Sequence, residues 1–525
     1  MTGVKAEPRR PRRYALGAVS GLVAAVSGLA LAHLAAAAVR PEASPLTAVG
    51  GAVVDRTPVA LKEWAIRQFG EADKLVLGLG IIVVLGAIAA AAGLLAVRHL
   101  PAGMALAAAV GAVGAVAALS RPEAGWKDAL PSLTGGAAAA GVLYLLVAAL
   151  RRLGPGPAAG GMDRRGFGRL VVGALALSAG AGYAGRRLGA FGSAGATSSR
   201  ADLVLPAPSV PAPPVPAGAD LRIPGISRFL TPNGDFYRVD TALVVPRVDA
   251  DAWRLRIHGD GVARPLTLDL RELLSRPLVE HDITLTCVSN EVGGPYAGNA
   301  RWLGVRLADL LREAGVRPPS QGGPADQLVA RSVDGMTLGT PVEAVMDGRE
   351  ALLAVGMNGE PLPFRHGFPV RMVVPGLYGY VSACKWLREL RLTTFDAYDA
   401  YWVRRSWAPR APVKTQSRID TPRPSAEPAP GPVAVAGVAW AQHRGIARVE
   451  VRVDAGPWHE ARLGDADGDD TWRQWVWTWE ATPGRHTLEV RATDRTGAVQ
   501  TGKRAGTVPD GATGWHSVVV RVRSA

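Results

Sequence analysis

Leu285-Thr-Cys287-Val-Ser-Asn290-Glu-Val-Gly-Gly294 hands one cysteine from a short apolar run into a turn of small and polar residues. The residues before it, Asp282-Ile-Thr-Leu-Thr286, are short and β-branched, as strands are. Upstream, Trp253-Arg-Leu-Arg-Ile-His258 alternates apolar and polar with a strand's period. Downstream, Val305-Arg-Leu-Ala-Asp-Leu-Leu-Arg-Glu-Ala314 has helical spacing and stops before Gly315. From about Leu221 to Leu392 the pattern is therefore mixed α and β. Cys287 itself has three readings: a small buried hydrophobe, a nucleophile, or a metal ligand. A nucleophile needs a base in contact, and His281, six residues back along a strand, is too far. One thiolate cannot hold a metal alone, so a metal here needs its other donors from a cofactor.

The rest of the chain is of another character. At 525 residues it has length for about three domains of ~150 residues. With 48% hydrophobic and 20% charged residues it is too apolar to be disordered. Cys287 and Cys384 are the two cysteines, which excludes a disulfide framework and a Cys-rich zinc site, and there is no C-x-x-C-H haem attachment. The net charge of +14 is not evenly spread: residues 1–187 hold 20 Lys/Arg against 9 Asp/Glu. Those cations flank long apolar runs, which is the charge pattern of membrane topology and not of a phosphate-binding face. Nucleic acid is excluded as a partner on this ground.

Four segments free of charged residues are long enough for a bilayer core of ~30 Å, which takes ~20 helical residues. They are Tyr14–Val39, Leu75–Val97, His99–Ser120 and Ala129–Leu150; Leu170–Gly185 is a shorter fifth. Their many Ala and Gly residues suit close approach of helices in lipid. Arg9, Arg10, Arg12 and Arg13 precede the first span, Arg98 sits in the second connection, and Arg151, Arg152, Arg164 and Arg165 in the fourth. The other two connections mix signs: Arg56, Lys62, Glu63, Arg67, Glu71, Asp73 and Lys74 in the first, then Arg121, Glu123, Lys127 and Asp128 in the third. The positive-inside rule puts the N-terminus in the cytoplasm, and five crossings leave everything after residue 187 outside, against only Arg186 and Arg187. Met162-Asp163-Arg164-Arg165-Gly166-Phe167-Gly168 looks like a twin-arginine export signal, and equally like ordinary anchoring charge.

Residues 192–218, ending Pro206-Ala-Pro-Ser-Val-Pro-Ala-Pro-Pro-Val-Pro216, read as a stiff tether. A second Pro-rich break, Thr421–Pro432, lies near the start of a last domain. Short strands follow at Val433–Ala439, Ala447–Val453, Gln474–Trp479, His486–Ala492 and Trp515–Val522, the spacing of a small β-sandwich. Trp440, Trp475, Trp477, Trp479 and Trp515 are candidates for its core and faces. The expected organisation is a transmembrane all-α bundle over 1–190, a linker over 191–220, an α+β domain over 221–410 and a β-sandwich over 411–525.

The run Leu353-Ala-Val-Gly-Met-Asn-Gly-Glu-Pro-Leu-Pro-Phe-Arg-His366-Gly-Phe-Pro-Val-Arg371-Met-Val-Val-Pro-Gly376, with Lys385-Trp386 after it, resembles the sulfite oxidase family. Ala300-Arg301-Trp302 and Gly514-Trp515-His516 agree with that family too. The likeness covers about 300 residues: ~225–395 resemble its molybdopterin domain and ~412–525 its immunoglobulin-like dimerisation domain. The membrane third and the haem domain of the eukaryotic enzymes lie outside it.

The resemblance implies roles residue by residue. Cys287 becomes the protein ligand to molybdenum, with a pterin dithiolene and oxo groups completing the coordination; a soft thiolate suits a metal already held by sulfur. Arg238 falls on an arginine near the metal, in the segment Phe236-Tyr237-Arg238-Val239-Asp240 that matches a pterin-reaching strand; Asp240 replaces the usual His. Asn290, Asp334, His366, Arg371, Ala383, Cys384 and Lys385 fall on or beside pterin-contacting positions, with Arg371 and Lys385 suited to its phosphate. Glu291 and Val292 stand where animal sulfite oxidases carry a pair of arginines, one of which helps bind the anion, and the resemblance therefore implies that sulfite is not handled here in the same manner. The implied function is a membrane-anchored molybdenum–molybdopterin oxidoreductase transferring oxygen atoms outside the membrane, sulfite-oxidase-like or S-/N-oxide-reductase-like. It implies a small-molecule oxo donor or acceptor, a separate electron carrier (a cytochrome or a quinone) and, by analogy, a homodimer. Two rivals stand beside it: a cysteine hydrolase using Cys287 with His281 or His366, and a non-catalytic anchored binding protein with a degenerate pterin fold.

Overall fold

The computed structural model describes residues 10–58, 61, 64–65, 68–69, 72–121, 124–152 and 164–524. Arg9, Lys62, Glu63, Arg67, Glu71, Glu123 and the Met162-Asp163 start of the twin-arginine-like motif lie outside the described residues. The chain divides into two compact units, Met1–Ala196 with Thr241–Val245, and Thr197–Asp240 with Pro246–Ala525.

The first unit is helical. Among the described residues five helices are long and apolar enough to cross a membrane: Arg12–Val39, Lys74–Arg98, Leu100–Leu119, Trp126–Arg151 and Arg165–Ala201. An additional helix, Pro45–Arg56, follows the first of these and was not apparent from the apolar runs. Small residues let backbones touch. A Cβ on Gly93 would lie 2.0 Å from the Gly17 carbonyl oxygen, and one on Gly21 1.9 Å from that of Ala89. At one end of the bundle Arg40 holds Asp128 at 2.6 Å and Arg121 holds Asp55 at 2.5 Å. At the other, Arg98 bonds the Tyr14 hydroxyl and Arg151 the Ala96 carbonyl, both neutral. The last helix begins at Arg164 and runs 38 residues, through the stretch 192–201 expected to be linker. Its Ala, Ser and Gly residues are compatible with a helix, and prolines begin only at Pro206. The stretch expected to be a free tether instead packs on its own unit, the Ser209 N–H donating to the Leu278 carbonyl at 2.8 Å, Val210 bridging Val279 and Ala219 buried in the core.

The second unit is β-rich. Strands β1 (Arg254–Gly259), β2 (Leu266–Asp269), β5 (Gln327–Ser332), β6 (Thr337–Pro341) and β10 (Leu387–Thr393) form one sheet in the order β2-β1-β10-β5-β6. Strands β3 (Leu278–Thr286), β4 (Ala297–Arg306), β7 (Leu352–Met357) and β8 (Glu360–Pro361) form another, with β9 (Arg371–Val373) paired to β7. The helix expected from Val305 starts at Leu307, because Val305 and Arg306 still pair with β7. A capping box starts the short helix Leu270–Leu274: the Asp269 carboxylate accepts from the Glu272 N–H, and the Glu272 carboxylate from the Asp269 N–H, each at 2.8 Å. Ile283, Leu285, Trp302, Leu352, Val355 and Met372 fill the core between these elements.

The C-terminal strands make two four-stranded sheets. One contains β11 (Gln416–Thr421), β12 (Gly431–Trp440), β16 (Arg473–Ala481) and β15 (Arg462–Leu463). The other contains β14 (His459–Glu460), β13 (Ile446–Val453), β17 (Gly484–Asp494) and β18 (His516–Val522). Inward-facing Val435, Val449, Val451, Leu488, Val490, Val518 and Val520 join one core between the sheets with Trp475 and Trp479, as the alternating pattern requires. Trp440 points the other way and joins the core of β1–β10 together with Val438 and Trp472. Trp477 and Trp515 are half-buried on the faces, Trp477 stacked on His459 and Trp515 edge-on to Trp458.

Candidate active site

β3 and β4 pair in register from Leu278↔Val305 to Thr286↔Ala297, so the connection between them is Cys287–Tyr296. Cys287 is its first residue. The hairpin closes on itself: the Cys287 N–H donates to the Tyr296 carbonyl at 2.9 Å and the Asn290 N–H to the Cys287 carbonyl at 3.1 Å. The Asn290 side-chain oxygen accepts from the Tyr296 N–H at 2.8 Å. Asn290 therefore holds the cysteine turn in shape. Cys287 is 8% exposed. Burial pushes its thiol up, against hydrogen bonds from the Ser289 N–H and hydroxyl and the positive charge of Lys385. Ser289 is a contact that sequence reading passed over; its position two residues after the cysteine was the available signal.

Phe236–Asp240, expected as a strand, joins no ladder. Its side chains anchor it in place of backbone pairing. Phe236 is buried edge-on against Trp302 and His366, and Tyr237 stacks on Phe236 at 5.3 Å. Tyr237 feels the charges of both Cys287 and Arg371, and burial holds its hydroxyl well above the usual phenol range. Arg238 pairs with Asp240 at 3.5 Å. The same carboxylate takes Lys385 at 2.9 Å, and Lys385 also donates to the Val239 carbonyl at 3.2 Å. Asp240 thus ties Arg238 and Lys385 into one cluster, which Lys385 extends to the Val239 carbonyl.

His366 is 1% exposed, and its Nε2–H donates to the Asn233 carbonyl at 3.0 Å. Burial, then the charge of Arg371, brings it down to about 3, so the ring is neutral at ordinary pH. Arg371 is 5% exposed and brought down to about 10 by burial. One of its nitrogens donates to the His366 carbonyl at 3.1 Å, and the guanidinium lies 4.9 Å from the centre of the Trp302 ring. Its Nε is buried with no hydrogen-bond partner, and among the described residues no carboxylate lies within 4.0 Å of it. A buried cation in that condition fits an anionic group.

Cys384 is 2% exposed, its thiol raised by burial and then by the charge of Asp334. Its carbonyl accepts from the Met372 N–H, beside Arg371. Asp334 sits in the β5–β6 turn, where it accepts from the Met336 N–H at 3.2 Å. The Ala383 N–H donates to the Gly379 carbonyl and ends the helix Gly379–Ser382. Asn358 explains part of the long motif structurally. It takes the left-handed turn after β7 at φ 52°, accepts from the Arg301 N–H at 2.9 Å and donates to the Thr231 carbonyl and to the Asn233 side-chain oxygen.

The two histidines considered as a base for Cys287 are engaged elsewhere: His281 bonds Asp470 at 3.1 Å and His366 the Asn233 carbonyl. Among the described residues no group of three or more His, Cys, Asp or Glu is arranged to hold a metal ion. A metal at Cys287 therefore draws its other donors from a cofactor.

Residues 242–402 match the oxidoreductase molybdopterin binding domain. Chicken (Gallus gallus) sulfite oxidase is 35% identical over 297 residues, covering 49% of this chain and 63% of the relative. Human mitochondrial sulfite oxidase is 32% identical over 291 residues, 48% of this chain and 52% of its own length. A rice (Oryza sativa subsp. japonica) NADH nitrate reductase is 33% identical over 196 residues, 33% of this chain and 21% of that protein. The chain thus spans between about a fifth and two thirds of these curated relatives. The sulfane dehydrogenase SoxCD of Paracoccus pantotrophus superposes with a TM-score of 0.49 at 25% identity, over 57% of this chain and 85% of that one. Through this matched domain the chain is a molybdopterin-dependent oxidoreductase similar to the sulfite oxidases.

Proposed function

We propose that the protein is a membrane-anchored oxidoreductase acting outside the cytoplasmic membrane by oxygen-atom transfer, either onto a sulfur-type lone pair or from an S- or N-oxide. The observation that carries this reading is the Arg371 guanidinium, buried without a carboxylate and with an orphaned Nε, in the neighbourhood of Tyr237 and Cys287. A bound molybdenum–pterin group supplies the two-electron change and the oxygen transfer. The chain's own residues hold and insulate it. Cys287 provides the soft ligand. Arg371 and the Lys385–Asp240–Arg238 cluster set the charge, neutral His366 donates from Nε2 to the Asn233 carbonyl, and Phe236 and Trp302 exclude water. Glu291 is exposed, and no arginine occupies its position or that of Val292, so substrate selection differs from that of the animal enzymes.

The membrane reading is supported by how the helix ends handle charge. The topology that puts the N-terminus inside puts Arg40 and Arg121 outside, where each is neutralised by an aspartate. Arg98 and Arg151 fall inside, where among the described residues their hydrogen bonds go to neutral groups, as the positive-inside rule favours. We further assign a helical bundle ending at Ala201, a proline-rich segment over 202–220 laid along the domain that follows, a molybdopterin domain over 221–410 and an immunoglobulin-like sandwich over 411–525 that pairs two chains. Electrons leave or enter through a separate carrier, a cytochrome or a quinone.

The test is elemental analysis and pterin fluorescence on full-length protein extracted in detergent, beside the Cys287→Ser variant. Molybdenum and pterin near one per chain are expected. The variant keeps its fold and loses turnover by about 100-fold or more. Matured wild-type protein without molybdenum, or undiminished turnover in the variant, overturns the reading.

A further inference from the structure

The connection Cys287–Tyr296 is cinched from within by the hydrogen bonds at Cys287, Asn290 and Tyr296. Its outer corner, Gly293-Gly294, is held from far along the chain. Arg418, on β11, donates from Nη1 to the Gly294 carbonyl at 2.8 Å. The same guanidinium donates from Nη2 to the Ser227 hydroxyl at 2.8 Å and from Nε to the Asp420 carboxylate at 2.6 Å. Asp420 in turn accepts from the Ser227 backbone N–H at 2.9 Å. The Arg418 and Asp420 side chains are 10% and 9% exposed. One residue earlier, Gly293 takes φ +80° directly under the His516 ring, where a Cβ would come within 2.1 Å of Cδ2. His516 is itself fixed, its Nδ1 accepting from the Ile419 N–H at 3.0 Å.

A buried guanidinium–carboxylate pair is an uneconomical way to gain stability, since apolar residues of similar volume often do as well or better. What the guanidinium does offer is geometry. Its planar fork reaches three acceptors at fixed angles, which an ammonium cannot do. The three acceptors lie on the cysteine turn (Gly294), on β11 (Asp420) and on the segment at Ser227 that is itself bonded to Asp420.

We propose that Arg418 is a positioning residue for Cys287, acting through the Gly294 carbonyl and the closed turn to fix the direction of the cysteine sulfur. The C-terminal sheets thereby complete the active site as well as extend the molecule. The inference rests on Cys287 being the metal ligand. Without Arg418, two consecutive glycines leave the outer corner of the turn with more freedom, held by the Gly294 N–H bond to the Glu291 carbonyl and by the packing of His516. The sulfur then samples directions that a ligand held to one geometry does not.

The test uses the full-length protein in detergent with Arg418→Met, Arg418→Lys and, as a milder change, Ser227→Ala. In cofactor-free protein, made in a host unable to synthesise molybdopterin, iodoacetamide labelling of the Cys287 peptide is followed by mass spectrometry. Arg418→Met is expected to speed labelling about fivefold, with Lys intermediate and Ser227→Ala smaller in the same direction. In loaded protein, kcat falls about tenfold with KM within about twofold, metal content stays at the wild-type level, and the paramagnetic resonance signal of the metal shifts. Should Arg418→Met not fold, Arg418→Lys and Ser227→Ala carry the same readouts. Unchanged labelling and an unchanged signal in every folded variant overturn the proposal. Wild-type protein lacking molybdenum instead defeats the reading of the function, and the labelling arm still decides whether Arg418 sets the turn.

Discussion

Arg301 on β4 grips Asp282 on β3 with two parallel hydrogen bonds, Nε to Oδ1 at 2.9 Å and Nη2 to Oδ2 at 2.8 Å. The two residues are register partners, so the ion pair locks the hairpin whose connection begins with Cys287. Asp282 is 4% exposed, and removing its partner leaves a nearly buried carboxylate uncompensated. Arg301→Met is expected to lower stability by about 2 kcal/mol, less than a fully buried pair because Arg301 is partly open to water. Thermal unfolding in detergent reads it as a drop of several degrees. An unchanged midpoint would show that the hairpin holds its register without the pair.

Asp467 lies against the same aspartate. Burial, then the charge of Asp282, pushes its carboxyl up to about 6. A group raised in the folded state stabilises fully below its unfolded value, near 3.8, and loses that contribution as pH rises through about 6. Asp467→Asn is therefore expected to stabilise the protein by about 1 kcal/mol at pH 7.5, after discounting for solvent, and to give almost no gain at pH 4. Unfolding midpoints at the two pH values check the sign; a larger gain at pH 4 contradicts it.

Asp470 joins two histidines, taking His281 at 3.1 Å and His443 at 3.2 Å. Burial opposes its ionisation, but the two histidine hydrogen bonds outweigh it and bring the carboxyl down to about 2. That contribution is present above about 3.8 and fades only as pH falls toward 2. Burial likewise works against charge on His281, and the Asp470 bond wins, holding the ring above its ordinary value. Its share is complete below about 6.5 and disappears as pH rises through the raised value. Asp470→Ala is thus expected to cost about 2 kcal/mol at pH 6 and distinctly less at pH 9. A pH-independent loss would rule out the charged pair as the source.

Arg371 makes a prediction of opposite sign for two states of one protein. In cofactor-free material its buried cation lacks a counter-charge, so Arg371→Met is expected to raise stability by at least about 1 kcal/mol. In loaded material the same change removes the anion's partner, and pterin per chain falls several-fold. Unfolding midpoints and pterin fluorescence on the two preparations check both halves. Lower stability of the variant in the cofactor-free state would mean that the cation–π contact with Trp302 outweighs the charge burial.

Much of the architecture was legible because its signals are local. Apolar runs of about 20 residues located the five long helices, and alternation located β1, β3, β12, β13, β16, β17 and β18 to within a few residues. The helical continuation through 192–201 was hidden by Gly, Ser and Ala, which a linker tolerates and a helix does too. Phe236–Asp240 misled in the other direction. The family resemblance made the segment a strand, yet here Phe236 and Tyr237 are held by stacking and burial while the backbone pairs with no ladder.

Sequence alone determined that a strand delivers Cys287 into a small-residue turn, and that His366 and Arg371 stand five residues apart in a run shared with a known family. Both are facts of order along the chain. Only the tertiary structure decided that Asp240 would bind Lys385, 145 residues away, that Arg418 would reach Gly294 across 124, and that Asp470 would cross 189 to His281. Such pairings depend on the paths of irregular segments and on which charges lose their water together. Neither residue type nor periodicity encodes them until the sheets have packed.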